Sequence, residues 1–403
     1  MNTALKHWKE AATVIFVAGT RHRAAVDITK RSPVTSPSYG KSGWPHKSAF
    51  DYEVLLLKRS GKSGFMPNAY VFPGGLVDSS DFSSDWLDIF KCFRHSPNFG
   101  LGVVKQPPHT RPALFATDRA SLGSPIPGDV AFRICAVRET FEESGILLVL
   151  PTREASASAH SLRSSDAPPL TRIARLCDAG ELAKWRLLVN ENPFNFIQMC
   201  KELDCVPNIW AMHEWGNWLT PTGIYGKERR YDTAFFICCL QDVPHTMQDE
   251  KEIEHYKWST PSEILHSYQA REIWIAPPQF YDLGRMCHLP QLRDLHSFSR
   301  SRALEGCEQW LPVRLVSSDC YISLLPGDDK YPDNPDCLGL NDMNMVTEKT
   351  LEELQQESSV FHRIVFQSLH EATIHVNIMP KYKHLLPFAN SSWGSQADHK
   401  SHL

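Results

Sequence analysis

The chain has 403 residues, 42% hydrophobic and 22% charged, enough apolar material for two or three domains, and this excludes wholesale disorder. Lys+Arg of 42 against Asp+Glu of 46 leaves a net charge of −4, which argues against a broad basic surface and so against nucleic acid as the main partner. No apolar run approaches the roughly 18 residues of a membrane-spanning helix, and the eleven cysteines include no CxxC pair; a soluble protein of a reducing compartment, with no membrane partner, is expected.

In chain order, Ala11–Val17 and Glu53–Lys58 read as strands, and Asn68–Phe72 as a short third strand ending at Pro73-Gly74-Gly75. Residues 95–128 are rich in proline and read as an insertion. Asp129–Ser144 is predicted as a helix, with Asp129 as N-cap and Gly145 as the stop, followed by a strand at Ile146–Leu150. Residues 152–170 (TREASASAHSLRSSDAPPL) are Ser/Ala/Pro-rich and read as a mobile loop. Tyr231–Leu240 has the continuous apolar character of a buried strand. Ser262–Ser267 and Pro277–Met286 are predicted helices, the second opened by a proline pair. Residues 327–345, acidic and turn-rich, divide off a C-terminal region with strand-like runs at Trp310–Val316, Cys320–Leu325 and Ala372–Ile378 and a helix at Glu348–Glu357. Short strands interleaved with a few helices predict a mixed α/β sandwich rather than a doubly wound parallel sheet.

The strongest chemical signal lies in Asp129–Gly145 (DVAFRICAVRETFEESG). At about 100° per residue, Val130, Ile134, Val137 and Phe141 share one stripe, while Glu139, Glu142 and Glu143 lie on the opposite face. A solvated acidic face is the simplest reading of such a pattern. Three carboxylates at i, i+3 and i+4 repel one another, however, with only Arg138 nearby to offset them. They also sit at the helix end where the macrodipole disfavours negative charge. A site for a hard divalent cation explains the arrangement better.

These residues carry a resemblance to the Nudix hydrolases, whose box reads G, five residues, E, seven residues, R-E-U-x-E-E-x-G-U, where U is a bulky aliphatic. Arg138-Glu139-Thr140-Phe141-Glu142-Glu143-Ser144-Gly145-Ile146 matches the second half with Thr140 at the first aliphatic place. Gly75 matches the opening glycine, and Asp81 stands where Glu is usual. Between Asp81 and Arg138 lie 56 residues instead of seven, so the box is split by an insertion of about fifty. That split, with GFMPNAYVFPGG, RYDTAFF and EIWIAPPQFY, resembles the coenzyme A and acyl-coenzyme A diphosphatase branch of the family, found in peroxisomes and mitochondria. The coenzyme A motif LLTxR[SA], three residues, R, three residues, G, three residues, FPGG is matched at Leu55, Leu56, Arg59, Ser60 and Phe72-Pro73-Gly74-Gly75. Leu57, Gly64 and Asn68 depart from it; Lys58, Lys62 or a basic residue of the insertion is then needed to meet the 3′-phosphate.

The resemblance implies an α/β/α sandwich with a mixed sheet over residues 8–300, with the insertion at about 82–128, a β-rich C-terminal extension at 301–389 and a tail at 390–403. It implies hydrolysis of the diphosphate of coenzyme A or acyl-coenzyme A to 3′,5′-ADP and 4′-phosphopantetheine or its acyl form. Glu139, Glu142 and Glu143 would hold Mg²⁺ or Mn²⁺, and Arg138 would orient them. Arg59, Phe72, Gly74, Gly75 and Phe280 would meet substrate, Asp78 or Asp81 would add an outer metal contact, and the general base would come from Asp249, Glu250, Glu252 or Glu254. The alternatives are another Nudix substrate (NADH, ADP-ribose, capped RNA) or a non-catalytic nucleotide-binding module. The ending Ser401-His402-Leu403 resembles the S-K-L peroxisomal address, with an import receptor as partner and the peroxisome as location; the mitochondrion and the cytosol are the alternative locations.

Overall fold

The computed structural model describes residues 7–20, 43–161, 170–340 and 344–388. Strands β1 (Lys9–Gly19), β2 (Tyr52–Arg59), β3 (Ala69–Val71) and β4 (Gly74–Leu76) precede helices α1 (Trp86–Ile89), α2 (Ala113–Ala116) and α3 (Gly128–Ser144). Then come β5 (Val149–Pro151), α4 (Thr152–Ser161), α5 (Ala179–Glu191), α6 (Asn195–Glu202), β6 (Cys205–Pro207), β7 (His213–Leu219), β8 (Tyr231–Leu240) and β9 (Ile253–Ser259). The chain continues through α7 (Pro261–Gln269), β10 (Trp274–Ile275), α8 (Pro277–Met286), α9 (Leu292–Ala303) and β11 (Gln309–Trp310). It closes with β12 (Val313–Val316), β13 (Tyr321–Leu324), β14 (Asn344–Val346), α10 (Leu351–Gln356), β15 (His362–Ser368) and β16 (Glu371–Val376).

The main sheet runs β10-β3-β2-β1-β8-β7-β11, with β4 on β1 and β9 on β2. Its axis is the parallel ladder of β1 with β8, from Lys9↔Tyr231 to Ala18↔Leu240. Both strands are apolar on both faces, as a strand covered on two sides must be. Val14 and Phe16 face one core with Ile134, Val137 and Phe141 of α3. Ile15 and Val17 face the other, with Ile264 of α7, Leu283 of α8 and Leu295 of α9. Each such side chain contributes about 1.5–3 kcal/mol on burial. The result is an α/β/α sandwich with a mixed sheet.

A second sheet, β14-β12-β13-β15-β16, forms the C-terminal extension. Val313, Leu315, Ile322 and Leu324 point to a small core closed by Leu354 of α10. On its other face, Ile364, Phe366 and Ile374 join the core of the main domain with Tyr281 and Trp310. Trp310–Val316 is therefore two strands, one in each sheet, parted at Leu311-Pro312. The acidic stretch 327–345 does not separate domains: it connects β13 to β14 inside the second sheet, and Asp328 there holds the fully buried Arg363. The boundary expected at residue 300 falls within α9.

Other expectations are corrected locally. Residues 152–161 form α4 rather than a loop; 162–169 lie outside the described residues. Alanine-rich sequence is a good helix former once tertiary contacts hold its end. Helix α3 begins at Gly128 behind Pro127, so Asp129 is not the cap; it sits in the first turn, bound by Arg111 at 3.3 Å and Asn98 at 3.2 Å. Gly145 does end the helix, in the left-handed conformation at φ 71°. The strand expected from Ile146 begins only at Val149. No helix among the described residues is long and apolar enough to cross a membrane.

Candidate active site

The acid-bearing end of α3 is not a solvated face. Residues of the insertion, among them Phe82, Trp86, Phe115 and Ile126, pack against it, and Arg138 and Glu143 are 2% and 4% exposed. Arg138 is the hub. Its Nε and Nη2 donate to the two Asp81 carboxylate oxygens at 2.9 Å each, and its Nη1 donates to Glu139 at 2.8 Å and to Glu142 at 2.9 Å. Two parallel charge-assisted bonds to Asp81 fix the guanidinium plane, from which Nη1 reaches the Glu139 and Glu142 carboxylates. Asp81 spends both oxygens on Arg138 and accepts from the Asp78 N–H at 2.8 Å. It positions Arg138 rather than facing a ligand, while Asp78 caps the Ser80 N–H through Oδ1 and lines the cleft.

The loop from β3 to β4 supplies the second half of the site. Gly74 lies at φ 149°, and its N–H donates to Glu143 at 2.9 Å. A Cβ on Gly75 would stand 2.3 Å from Glu139 Oε2, so glycine there lets the carboxylate approach the backbone. At the helix end, Arg186 of α5 donates twice to the Glu142 carbonyl, at 2.8 and 2.9 Å. That contact offsets the dipole penalty that acids at a C-terminus otherwise carry.

Burial raises the carboxylate pKa values, and the acids raise one another. Glu143 is held well above the usual range by burial and then by Glu139, and Glu142 is pushed up to about 7 by burial, with Glu139 adding to it. Glu139 is raised chiefly by burial. Asp81, Glu139 and Glu142 thus share the Arg138 guanidinium while Glu143 has the Gly74 N–H and the charge of Arg59 near it, a surplus of negative charge that a protein interior does not sustain without protons or cations. Among the described residues no three His, Cys, Asp or Glu side chains already converge on one point that could hold an ion. In charge and in oxygen-donor chemistry the cluster nonetheless fits a hard divalent cation.

The cluster opens on a cleft of about 740 Å³ whose lining includes Arg59, Gly74, Gly75, Arg138, Glu139 and Glu142. Phe72 lines it too, although buried against Phe235. Phe280 does not: it is 1% exposed and packs in the core on Trp44 and Tyr268, because the inner face of α8 points away from the cleft. Its neighbours Pro277, Pro278 and Gln279 line the cleft instead. Of the four acids expected after β8, only Glu252 reaches it. Asp249 is consumed by the N–H groups of Lys251, Glu252 and Ile253, while Glu254 binds Ser60 and Gly61. One departure from the coenzyme A motif has a local reason: Asn68 adopts φ 63°, a left-handed backbone open to Asn as to Gly. Gly64 has room for a side chain, whose Cβ would make only an ordinary contact with the Arg229 guanidinium at 3.4 Å, and Lys58, a candidate for the 3′-phosphate, is engaged by Glu254 at 3.6 Å.

The cleft also has walls that sequence reasoning did not name. Phe65 sits between Tyr225 and Tyr231 with ring centroids 4.9 Å from each. Pro312, Arg314, Tyr321 and Ser323 come from the second sheet, and nothing in the residue pattern of 310–325 marked them. Ser401, His402 and Leu403 lie outside the described residues.

The NUDT19 Nudix domain family matches residues 8–286, and the NUDT19 C-terminal domain family matches residues 314–377. The chain is similar to proteins named acyl-coenzyme A diphosphatase NUDT19. The one from Gallus gallus is 50% identical over 96% of this chain and 96% of that protein, and the one from Xenopus laevis 49% identical over 97% and 98%. The Homo sapiens protein of that name is 41% identical over 94% of each. A solved Nudix hydrolase from Alicyclobacillus acidocaldarius aligns with a TM-score of 0.45 and 18% identity, covering 72% of this chain and 96% of that one.

Proposed function

The chain belongs to the NUDT19 branch of the Nudix hydrolases, and from that premise we propose that it hydrolyses the diphosphate of coenzyme A and acyl-coenzyme A. Water attacks one phosphorus, one P–O bond of the anhydride breaks, and the products are 3′,5′-ADP and 4′-phosphopantetheine or its acyl form. The observation that supports this reading most is the acid-crowded end of α3 opening on a cleft long enough to continue along a second sheet.

Glu139, Glu142 and Glu143 would hold Mg²⁺ or Mn²⁺, which when bound neutralises diphosphate charge and eases ionisation of a water. The chain's own residues do the positioning. Arg138, locked by Asp81, sets the two outer carboxylates; Gly74 fixes Glu143 through its N–H. Glu252, the acid of the four candidates that lines the cleft, would accept the proton of the attacking water. The Ser401-His402-Leu403 ending is assigned as a peroxisomal import signal read by its receptor; deleting it from a tagged full chain should leave the protein in the cytosol, and continued peroxisomal residence would refute the assignment.

The test of the activity is product analysis with Mg²⁺ on coenzyme A, an acyl-coenzyme A, NADH, ADP-ribose and capped RNA side by side. Fastest release of 3′,5′-ADP from coenzyme A or its thioester is expected, with Glu139→Gln and Glu143→Gln each losing at least about 100-fold in kcat. Faster cleavage of another substrate would overturn the specificity, and full turnover in both variants would overturn the site.

A further inference from the structure

Arginines inside this protein have partners. Arg119 forks onto Glu10, Arg363 onto Asp328, Arg111 onto Glu214 and Arg138 onto Asp81. Arg59, at the cleft, spends Nε and Nη2 on Ser63 Oγ and the Phe65 carbonyl. Arg314 differs. It lines the same cleft from β12, its Nε is buried without a hydrogen-bond partner, and its contact is the face of Tyr321 at 5.1 Å. Among the described residues no carboxylate pairs with it. A half-buried guanidinium with its Nε covered and neither counter-ion nor acceptor beside it gains from an arriving anion.

The strand explains how it gets there. Val313 and Leu315 turn into the core under α10, so by alternation Arg314 points the other way, opposite Ser323 in the ladder and beside Tyr321. Pro312, Arg314, Tyr321 and Ser323 form one wall of the cleft, and the acid end of α3 with the Gly74-Gly75 loop forms another. The positive charge of Arg314 is therefore carried by a different sheet from the diphosphate chemistry. Around it lie rings suited to a flat base: Phe65, Tyr225, Tyr231 and Tyr321.

We propose that the C-terminal sheet is part of the substrate site and that Arg314 is a specificity-determining residue, which binds a phosphate monoester on the nucleoside, apart from the diphosphate that is cleaved. The proposal rests on the coenzyme A reading above, whose substrate carries such a group on its ribose. A planar fork of donors matches a phosphate dianion in two parallel bonds, and lysine does not reproduce this. The C-terminal extension then exists to read the substrate, not only to stabilise the fold.

The experiment uses the full chain and the variants Arg314→Gln and Arg314→Lys, with Arg229→Gln as comparison, since Arg229 is exposed and does not line the cleft. KM and kcat are measured on coenzyme A and 3′-dephospho-coenzyme A, and on succinyl- against acetyl-coenzyme A. Loss of a charge-assisted pair should raise the coenzyme A KM about 10- to 150-fold in Arg314→Gln, less in Arg314→Lys, with kcat kept and the 3′-dephospho KM moved less than about twofold. A second readout needs no turnover: calorimetric affinity for 3′,5′-ADP should fall by a similar factor while that for AMP stays. If coenzyme A is not a substrate but the 3′,5′-ADP affinity still depends on Arg314, the activity reading fails and the subsite stands. Equal losses on both members of the phosphate pair, a larger loss on succinyl- than on acetyl-coenzyme A, discrimination carried by Arg229, or no change at all would each overturn the proposal. Should Arg314→Gln not fold, the Arg314→Lys ratios decide it by the same criteria.

Discussion

Replacing Asp81 by Asn tests whether the hub of the site is held from 57 residues away. Asp81 is fully buried and accepts three bonds, two from Arg138 at 2.9 Å and one from the Asp78 N–H at 2.8 Å. An Asn offers one oxygen and one NH₂, so one guanidinium N–H loses its acceptor and faces a donor. Removing one partner of a buried ion pair costs about 3–5 kcal/mol. Glu139 and Glu142 still hold Nη1, which places the expected loss near the lower bound, about 3 kcal/mol, or roughly 3–5 °C in Tm. Freed from its fork, Arg138 no longer sets the two carboxylates, and kcat should fall about 10- to 100-fold, as when an outer partner of a ligand is removed. Denaturant titration gives the first number and initial rates well below the Tm give the second. A variant within about 1 kcal/mol of the parent would refute the structural argument. Normal kcat in a destabilised variant would refute the link from Asp81 through Arg138 to catalysis.

The paired glycines separate fold from chemistry. Gly75→Ala would bring its Cβ to 2.3 Å from Glu139 Oε2, the end of a side chain and not backbone, so turnover should drop at least about tenfold with a smaller loss of stability than in Gly74→Ala. Gly74→Ala meets the Ala12 carbonyl at 2.3 Å at φ 149° and should cost about 2 kcal/mol or more; the reverse pattern would contradict both readings. Glu252→Gln should keep the fold and lose about 10²–10⁴ in kcat if Glu252 is the base, whereas a parent-like rate would assign the proton elsewhere. The buried histidines should contribute stability that is lost between about pH 6.5 and 4. Burial pushes the His362 pKa down to about 4 and that of His213 to about 3, so in that window the unfolded chain binds more protons and stability falls as pH falls. His362 alone accounts for about 3 kcal/mol. Asp232 and Glu142, both raised by burial to about 7, and Glu139 and Glu143, raised likewise, have the opposite sign, so the contrast of parent with His362→Gln isolates the histidine. Identical slopes in urea titrations from pH 7 to 4.5 would refute the assignment.

What was legible in the residues follows the strength of the local signal. β1, β8 and α8 were found because each is long, strongly apolar or opened by a proline pair. β9 was not foreseen because Ile253–Ser259 is polar at most positions; it is a strand through pairing with β2 from Val54↔Ser259 to Arg59↔Ile253. β7 (HEWGNWL) was missed for a similar reason, its glycine marking the irregular register between Glu214 and Gly216. The Glu139, Glu142, Glu143 set and Arg138 were readable because spacing on a helix fixes them. Asp81 was found but given the wrong partner, since a contact closed across the insertion leaves no local trace. Phe280 failed because a Pro-Pro-x-Phe run locates a helix start without showing which face turns inward.

The insertion raises the question of how a metal-site motif survives being cut in two. Extending a loop from seven residues to 56 is three doublings, about 2 kcal/mol of closure entropy. The insertion offsets more than that with its own apolar side chains, since Phe82, Trp86, Phe90, Leu114, Phe115 and Ile126 are all buried at about 1.5–3 kcal/mol each. Its ends are tied as well: Ser124 Oγ donates to the Phe82 carbonyl at 2.8 Å, and Arg119 crosses to Glu10 of β1. Asp81 therefore enters from a packed layer, not from a slack loop, and it reaches Arg138 at a fixed angle. The same layer covers the side of α3 that would otherwise meet water. Glu139 and Glu142 remain 16% and 15% exposed only where they open on the cleft. The elaboration inside the box thus concentrates negative charge at one opening, and that is where a diphosphate with its cations would have to be received.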